Sequence, residues 1–373
     1  MKITRIRIYK PQRLNRTFNQ SNYVVTVETD TGVVGIGEGG TPDTLTQCAQ
    51  MLIGEDPRRS HHLWQMMYRG WFYPAGREKL HALGALDLAL WDIKGKVLNT
   101  PVYDLLGGLT RDYMECYATG FRHPGTLAEK AKACIDAGFR AFRIGAGDGP
   151  GPFNARQQVN RAYRQSQIVS AAVGDGDWAI DFHTRFDLAD AVRLANLLEP
   201  LNPLFCEDPL RSENPTVLAA FRQQTKVPVA VGEQFGDRWD VNELIENHLI
   251  DYTRVTLPNV GGITEMVKIA ALCETHYIGM IPHFTGHISV AALVHVFASQ
   301  PIPVVMELAG GAYELPAHLR KAANFHDGKL WPVNRPGLGV DFDPEEAELV
   351  GEITEKDAPI PMLYRPDGSI TNW

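Results

Sequence analysis

The feature that most constrains this chain is a series of eight short apolar runs, each ending in polar residues, that begins near Cys116. The runs are ECYATG, AFRIG, WAIDFH, LFCEDP, VAVGE, YTRVT, IGMIPH and VVMEL, and helical stretches such as Leu188 to Leu198 and Ile263 to His276 lie between them. Repeated β-α units in this number predict a closed parallel barrel, in preference to an open doubly wound sheet. The first 115 residues have another texture. Ile3 to Ile8, Tyr23 to Glu28 and Val33 to Glu38 alternate in polarity, with a turn at Asp30 to Gly32, which predicts a small antiparallel meander. The stretch LHALGALDLALWDIKGKVL (Leu80 to Leu98) has apolar residues at helical spacing and is too apolar for an exposed helix. From Ala312 the chain is rich in Pro, Gly and acidic residues, as expected of a tail that wraps over the barrel and back toward the first domain. The predicted units are 1–115, 116–311 and 312–373.

Composition narrows the partners. A formal charge of −8, with no basic run, argues against nucleic acid and anionic membrane surfaces. No stretch approaches the roughly 20 apolar residues of a membrane span, and MKITRIRIYK alternates like a strand instead of carrying the apolar core of a signal peptide. The five cysteines are scattered without a CxxC pair, which suits reduced thiols in a cytoplasmic protein.

The middle runs end in Asp181, Glu207 and Glu233, each one β-α unit beyond the last. In a parallel barrel these strands are neighbours, so three carboxylates converge at the C-terminal mouth, where barrel enzymes keep their active sites. Their mutual repulsion calls for a cation, and an all-oxygen ligand set favours Mg²⁺, one per subunit. A lone strand-end acid is commonly a helix cap or a solvated loop residue. Three in register are much harder to explain that way.

His183 lies two residues past Asp181 and so on the same side of its strand, and His283 ends the seventh run. Imidazoles placed there can move protons at neutral pH. Arg143 and Arg254, within the second and sixth runs, are candidates either for binding a substrate carboxylate or for buried ion pairing. Glu307, on the eighth run, is a candidate to hydrogen-bond substrate or orient a neighbour. No lysine ends a strand and the first run has no HxH, which argues against a Schiff-base aldolase and a binuclear hydrolase.

With these residues in place, the chain resembles the enolase superfamily, in its mandelate racemase-like subgroup. ALGALDLALWDIKGK followed by PVYDLLGG looks like that subgroup's domain junction. IDFHTRFD, FCEDPL, VGEQF and VGGITE resemble its third to sixth strand motifs. The segment WDVNELIENHLIDYTRVT and the tail from PGLGVDFD to ITNW look like mannonate dehydratases, while Asp181 and His183 form a DxH shared with galactonate dehydratases.

The resemblance implies a modified TIM barrel, (β/α)7β, under an N-terminal α+β capping domain, with Asn15 to Tyr23 and Trp71 to Gly76 shaping specificity. It implies Mg²⁺ on Asp181, Glu207 and Glu233, bound to the carboxylate of a sugar acid and stabilising an enediolate. His183 would then protonate the departing 3-hydroxyl, and His283 would serve as base, to give a 2-keto-3-deoxy acid. It also implies a homo-oligomer. The chain departs from the pattern at Arg143 and Gly145, which replace a KxK pair, and at Thr256, which stands where a dyad Asp would partner His283. Asp148 is a remote alternative base. The leading expectation is an acid-sugar dehydratase. Epimerisation or cycloisomerisation through the same enediolate, or a non-catalytic metal- and ligand-binding relative, are the alternatives.

Overall fold

The computed structural model describes residues 1–14, 21–74, 76–147, 151–357 and 362–371. Asp148, residues 15–20 of the Asn15 to Tyr23 segment and Ala75 lie outside the described residues. Strands β1 (Ile3–Pro11), β2 (Val24–Thr29) and β3 (Val34–Glu38) form the antiparallel meander read from the alternation. Helices α1 (Pro42–Ala49), α2 (Ser60–Arg69), α3 (Gly76–Val97) and α4 (Val102–Leu105) follow. The apolar α3 lies directly on the meander. A Cβ at Gly35 would sit 2.1 Å from the carbonyl oxygen of Ala89, and one at Gly37 would sit 1.8 Å from that of Ala85. These two glycines therefore set how closely helix and sheet can approach.

The barrel strands are β4 (Met114–Thr119), β5 (Ala141–Gly145), β6 (Asp177–Asp181), β7 (Phe205–Glu207), β8 (Val229–Val231), β9 (Tyr252–Thr253), β10 (Gly279–Met280) and β11 (Val305–Ala309). All neighbouring pairs from β4 to β10 are parallel, β11 pairs with β4, and a parallel bridge from Met280 to Val304 closes the ring. Between consecutive strands run α5 (Leu127–Asp136), α6 (Ala155–Ala172), α7 (Leu188–Leu198), α8 (Val217–Arg222), α9 (Arg238–Glu246), α10 (Ile263–Thr275) and α11 (His287–Ser299). This is the (β/α)7β arrangement, with a strand at every predicted run. Among the described residues no helix is long and apolar enough to cross a membrane.

The tail carries β12 (Leu319–Lys321), β13 (Asn324–His326), β14 (Lys329–Trp331), β15 (Asp341–Phe342) and β16 (Ala347–Ile353). Strand β14 pairs antiparallel with the start of β4, and β16 returns to β1 as the fourth strand of the cap sheet.

Two buried carboxylates join cap to barrel. Helices α10 and α11 begin at Gly262 and Gly286, which offer no side-chain cap. The missing acceptors come from the cap. Asp87 of α3 accepts from Thr264 N at 2.9 Å and from its hydroxyl at 2.6 Å, and Glu38, at the end of β3, accepts from Ser289 N at 3.0 Å. An acceptor at a helix start satisfies N–H groups that have no partner within the helix. Burial pushes both carboxyls up to about 7.

A folded-state pKa above the unfolded value means that the native state holds the proton longer. The stabilisation from this group is full below about pH 4, the unfolded aspartate range, and is lost as pH rises through about 7. The melting temperature is therefore expected to fall between these limits, and Asp87→Asn should flatten that dependence. Identical pH profiles for the two proteins would count against this account.

Candidate active site

The barrel interior is built in layers by alternation along the strands. Its floor is the apolar cluster of Tyr117, Ala141, Ala179, Phe205, Ala230, Ile281 and Val305, all buried. Two residues further along most of these strands stand Thr119, Arg143, Asp181, Glu207, His283 and Glu307, which therefore face the same interior one layer nearer the mouth. Arg254 and Thr256 follow Tyr252 in the same phase. Asp181 and Glu207 are direct partners in the β6–β7 register.

Glu233 breaks the alternation, since Ala230 faces inward and strict alternation would turn Glu233 outward. The break comes at Gly232, where a Cβ would sit 2.6 Å from the backbone of Arg254. Only glycine admits that approach. It brings Glu233 into the lumen, with Oε2 3.3 Å from Arg254 and 3.2 Å from His283 Nε2.

Arg254 is completely buried, and each of its three guanidinium nitrogens is paired. Nε donates to Glu207, Nη1 to the Tyr117 hydroxyl at 2.9 Å and to Glu307 at 2.7 Å, and Nη2 to Glu233. Arg143, almost as buried, bridges Asp181 at 3.1 Å, Glu207, and Glu307 at 3.3 Å. Of the two readings open for these arginines, this geometry corresponds to buried ion pairing. Burial alone would raise Glu307, but Arg254 and Arg143 hold it well below the usual carboxylate range. Glu307 also accepts from the Thr119 hydroxyl and from Phe284 N at 3.2 Å.

One carboxylate oxygen from each of Glu207, Asp208 and Glu233 lies within 4.8 Å of the other two, and all three residues are buried. This acidic cluster suits a divalent cation, because closely packed buried carboxylates repel unless a positive charge joins them. Asp208 Oδ2 is buried and has no hydrogen-bond partner, a free hard donor at that place. The cluster differs by one member from the expected trio. Asp181 stands beside it, accepting from His183 N at 2.6 Å and facing Arg143. Asp208 follows Glu207 in a left-handed conformation (φ 39°), which swings a side chain that alternation would send outward back toward the cluster. The consecutive acids of CEDP were the one sequence signal for it.

The two histidines flank Glu233. His183 Nε2 is 3.8 Å from Oε1, and His283 Nε2 is 3.2 Å from Oε2. Their surroundings differ. The His183 side chain is 58% exposed and extends from a left-handed backbone (φ 50°), whereas that of His283 is 3% exposed. Burial, helped by Arg254, pushes His283 down to about 3, so its ring is neutral near pH 7. Thr256, which replaces the dyad Asp, is not idle: its hydroxyl lies 3.2 Å from His283 Nδ1. A neutral partner thus orients the ring where a carboxylate was missing from the sequence pattern.

A closed (β/α)7β barrel with buried acids and two imidazoles at its C-terminal mouth, under a sheet-and-helix cap, defines a class of two-domain barrel proteins suited to carboxylate chemistry. Comparison with known families makes the class specific. Residues 4–107 match the mandelate racemase/muconate lactonizing enzyme N-terminal domain, and residues 126–347 match the enolase C-terminal domain-like family. The chain belongs to the enolase superfamily, in its mandelate racemase/muconate lactonizing enzyme group.

It is 35% identical to a D-galactonate dehydratase of Ralstonia nicotianae and 36% identical to one of Ralstonia pickettii, over the whole of both chains in each case. Among solved structures, an enolase from Agrobacterium radiobacter with bound Na and L-malate is similar at a TM-score of 0.83 and 29% identity, covering 99% of each chain. An enolase from Pantoea ananatis with bound D-gluconate and Mg is similar at a TM-score of 0.83 and 26% identity, covering 92% of this chain and 93% of that one.

Proposed function

We propose that this protein is a Mg²⁺-dependent sugar-acid dehydratase that converts its substrate to a 2-keto-3-deoxy acid. The observation that carries the reading is the pair of imidazoles on either side of Glu233, at the edge of the acidic cluster. The dehydratase relatives, and the gluconate and Mg of the Pantoea structure, support it. Asp181, Glu207 and Glu233 would hold the ion, with Asp208 close behind. Asp181 and Glu207 share an interior face in register, and an all-oxygen set suits Mg²⁺. Bound there, the ion supplies Lewis acidity to the substrate carboxylate and makes the neighbouring C–H more acidic.

The chain's own groups do the rest. Neutral His283, oriented by Thr256, accepts the α-proton on Nε2. His183, exposed toward the mouth, donates a proton to the departing 3-hydroxyl, so that water leaves and the enol product relaxes to the keto acid. Arg143 and Arg254 act as buried counter-charges that hold Glu207 and Glu307 in place. The protein is proposed to work as a cytoplasmic homo-oligomer, which light scattering on the purified protein would test.

The assay is a screen of aldonic and aldaric acids with Mg²⁺, detecting keto product. His183→Asn is expected to lower kcat by about 10² to 10⁴-fold, the usual contribution of a positioned general acid, while leaving Mg²⁺ affinity intact. Solvent deuterium uptake at the α-carbon without keto product from any acid would replace dehydration with epimerisation.

A further inference from the structure

Beside the proposed reaction centre lies a cavity of about 620 Å³, bounded by the end of β1 and by the segments that follow β4, β10 and β11. It meets the site through Phe284, whose N–H donates to Glu307 at 3.2 Å and whose ring centroid lies 4.8 Å from that of His283. Phe284 and Leu308 line it, and they follow His283 and Glu307 in the chain. Two arginines line it, Arg13 from the cap and Arg122 from the loop after β4. Arg13 has no ion-pair partner among the described residues. Arg122 has Glu314 at 3.6 Å, with the two side chains 69% and 81% exposed, and a pair so exposed contributes little.

The position of Arg122 is built into the backbone. Gly310 and Gly311 turn at φ 66° and 68°. A Cβ on Gly310 would sit 3.1 Å from Arg122 Nε, and one on Gly311 would sit 2.4 Å from Phe121. The paired glycines leave the groove in which Phe121 and Arg122 lie.

The cavity also presents unsatisfied polar atoms. His318, 4% exposed, lines it with an Nε2 that has no hydrogen-bond partner, as does the buried Thr285 hydroxyl. Buried polar atoms without partners are rare in folded proteins and commonly mark a place where a ligand or water belongs. The terminal hydroxyl of a neutral sugar chain would satisfy one or two hydrogen bonds and bring no charge to Arg13, or to Arg122, whose exposed partner Glu314 also lines the cavity. A carboxylate accepts paired N–H bonds from a guanidinium and further bonds from histidine and threonine.

We infer that this cavity is the subsite for the far end of the substrate and that it takes a carboxylate, which makes the preferred substrate class the dicarboxylic sugar acids. The inference rests on the dehydratase reading only for which end of the molecule reacts.

The test is calorimetric binding, in Mg²⁺ buffer, to His183→Asn protein, which keeps the subsite and is expected to turn over about 10² to 10⁴-fold more slowly. The ligands are hexaric and hexonic acids in pairs of matched configuration, galactarate with galactonate first. For at least one pair the diacid should bind at least tenfold more tightly, and that ratio should fall toward one when Arg13→Gln and Arg122→Gln are added. Equal binding within every pair, a ratio that the two substitutions leave unmoved, or no binding by any acid overturns the inference. The dehydratase reading is scored separately, by keto product from the unsubstituted enzyme, so the two can fail independently.

Discussion

Exchanging Glu233 for glutamine is expected to lower kcat/KM for the productive sugar acid by about 10³-fold or more, on the order of 4 kcal/mol of transition-state stabilisation. Glutamine keeps the volume and one acceptor but removes the charge that the acidic cluster and His283 both face. Mg²⁺ affinity, measured by calorimetry, should fall in parallel. The same measurement separates the two candidates for the third ligand. Asp181→Asn should weaken Mg²⁺ more than Asp208→Asn, because Asp181 shares the interior face of Glu207 whereas Asp208 reaches the cluster only through its left-handed turn. The reverse order would make Asp208 the ligand. Undiminished Mg²⁺ binding by the Glu233 variant would remove the proposed site altogether.

The second large effect is expected at Arg254. Methionine there preserves much of the packing but leaves Glu207 and Glu307 without the guanidinium that lies between them. Breaking one side of a buried ion-pair network typically costs about 3–5 kcal/mol, which in a protein of this size corresponds to a fall in melting temperature of roughly 5 °C. Denaturant unfolding of Arg254→Met checks this. If stability is kept and only the KM for the acid rises, Arg254 is a substrate-binding group and the buried-pair account is wrong.

The barrel was legible because its strands are short, apolar and evenly interrupted, a pattern set by local chemistry. Placing Asp181, Glu207, His283 and Glu307 in the lumen needed only alternation by two. Glu233 also reached the lumen, but for a reason alternation does not supply, since the phase slips at Gly232 where β8 meets the Arg254 backbone. Two further points were hidden for similar reasons. Thr256 looked like the loss of a partner for His283, because family patterning lists a carboxylate there, while its hydroxyl lies 3.2 Å from the ring. The helix caps from Asp87 and Glu38 join residues 177 and 251 positions apart, and no local motif announces a cap that arrives from another domain.

The return of β16 to β1 bears on how the molecule is made. The cap sheet takes three strands from Ile3–Glu38 and its fourth from Ala347–Ile353, so it cannot be complete until residue 353 has left the ribosome. Until then β1 presents an open edge, the kind of surface that recruits stray strands. The barrel must emerge and close in the interval. Nascent chains stalled before Ala347 should therefore be more prone to aggregation than the finished protein, a hazard that follows from chain order alone.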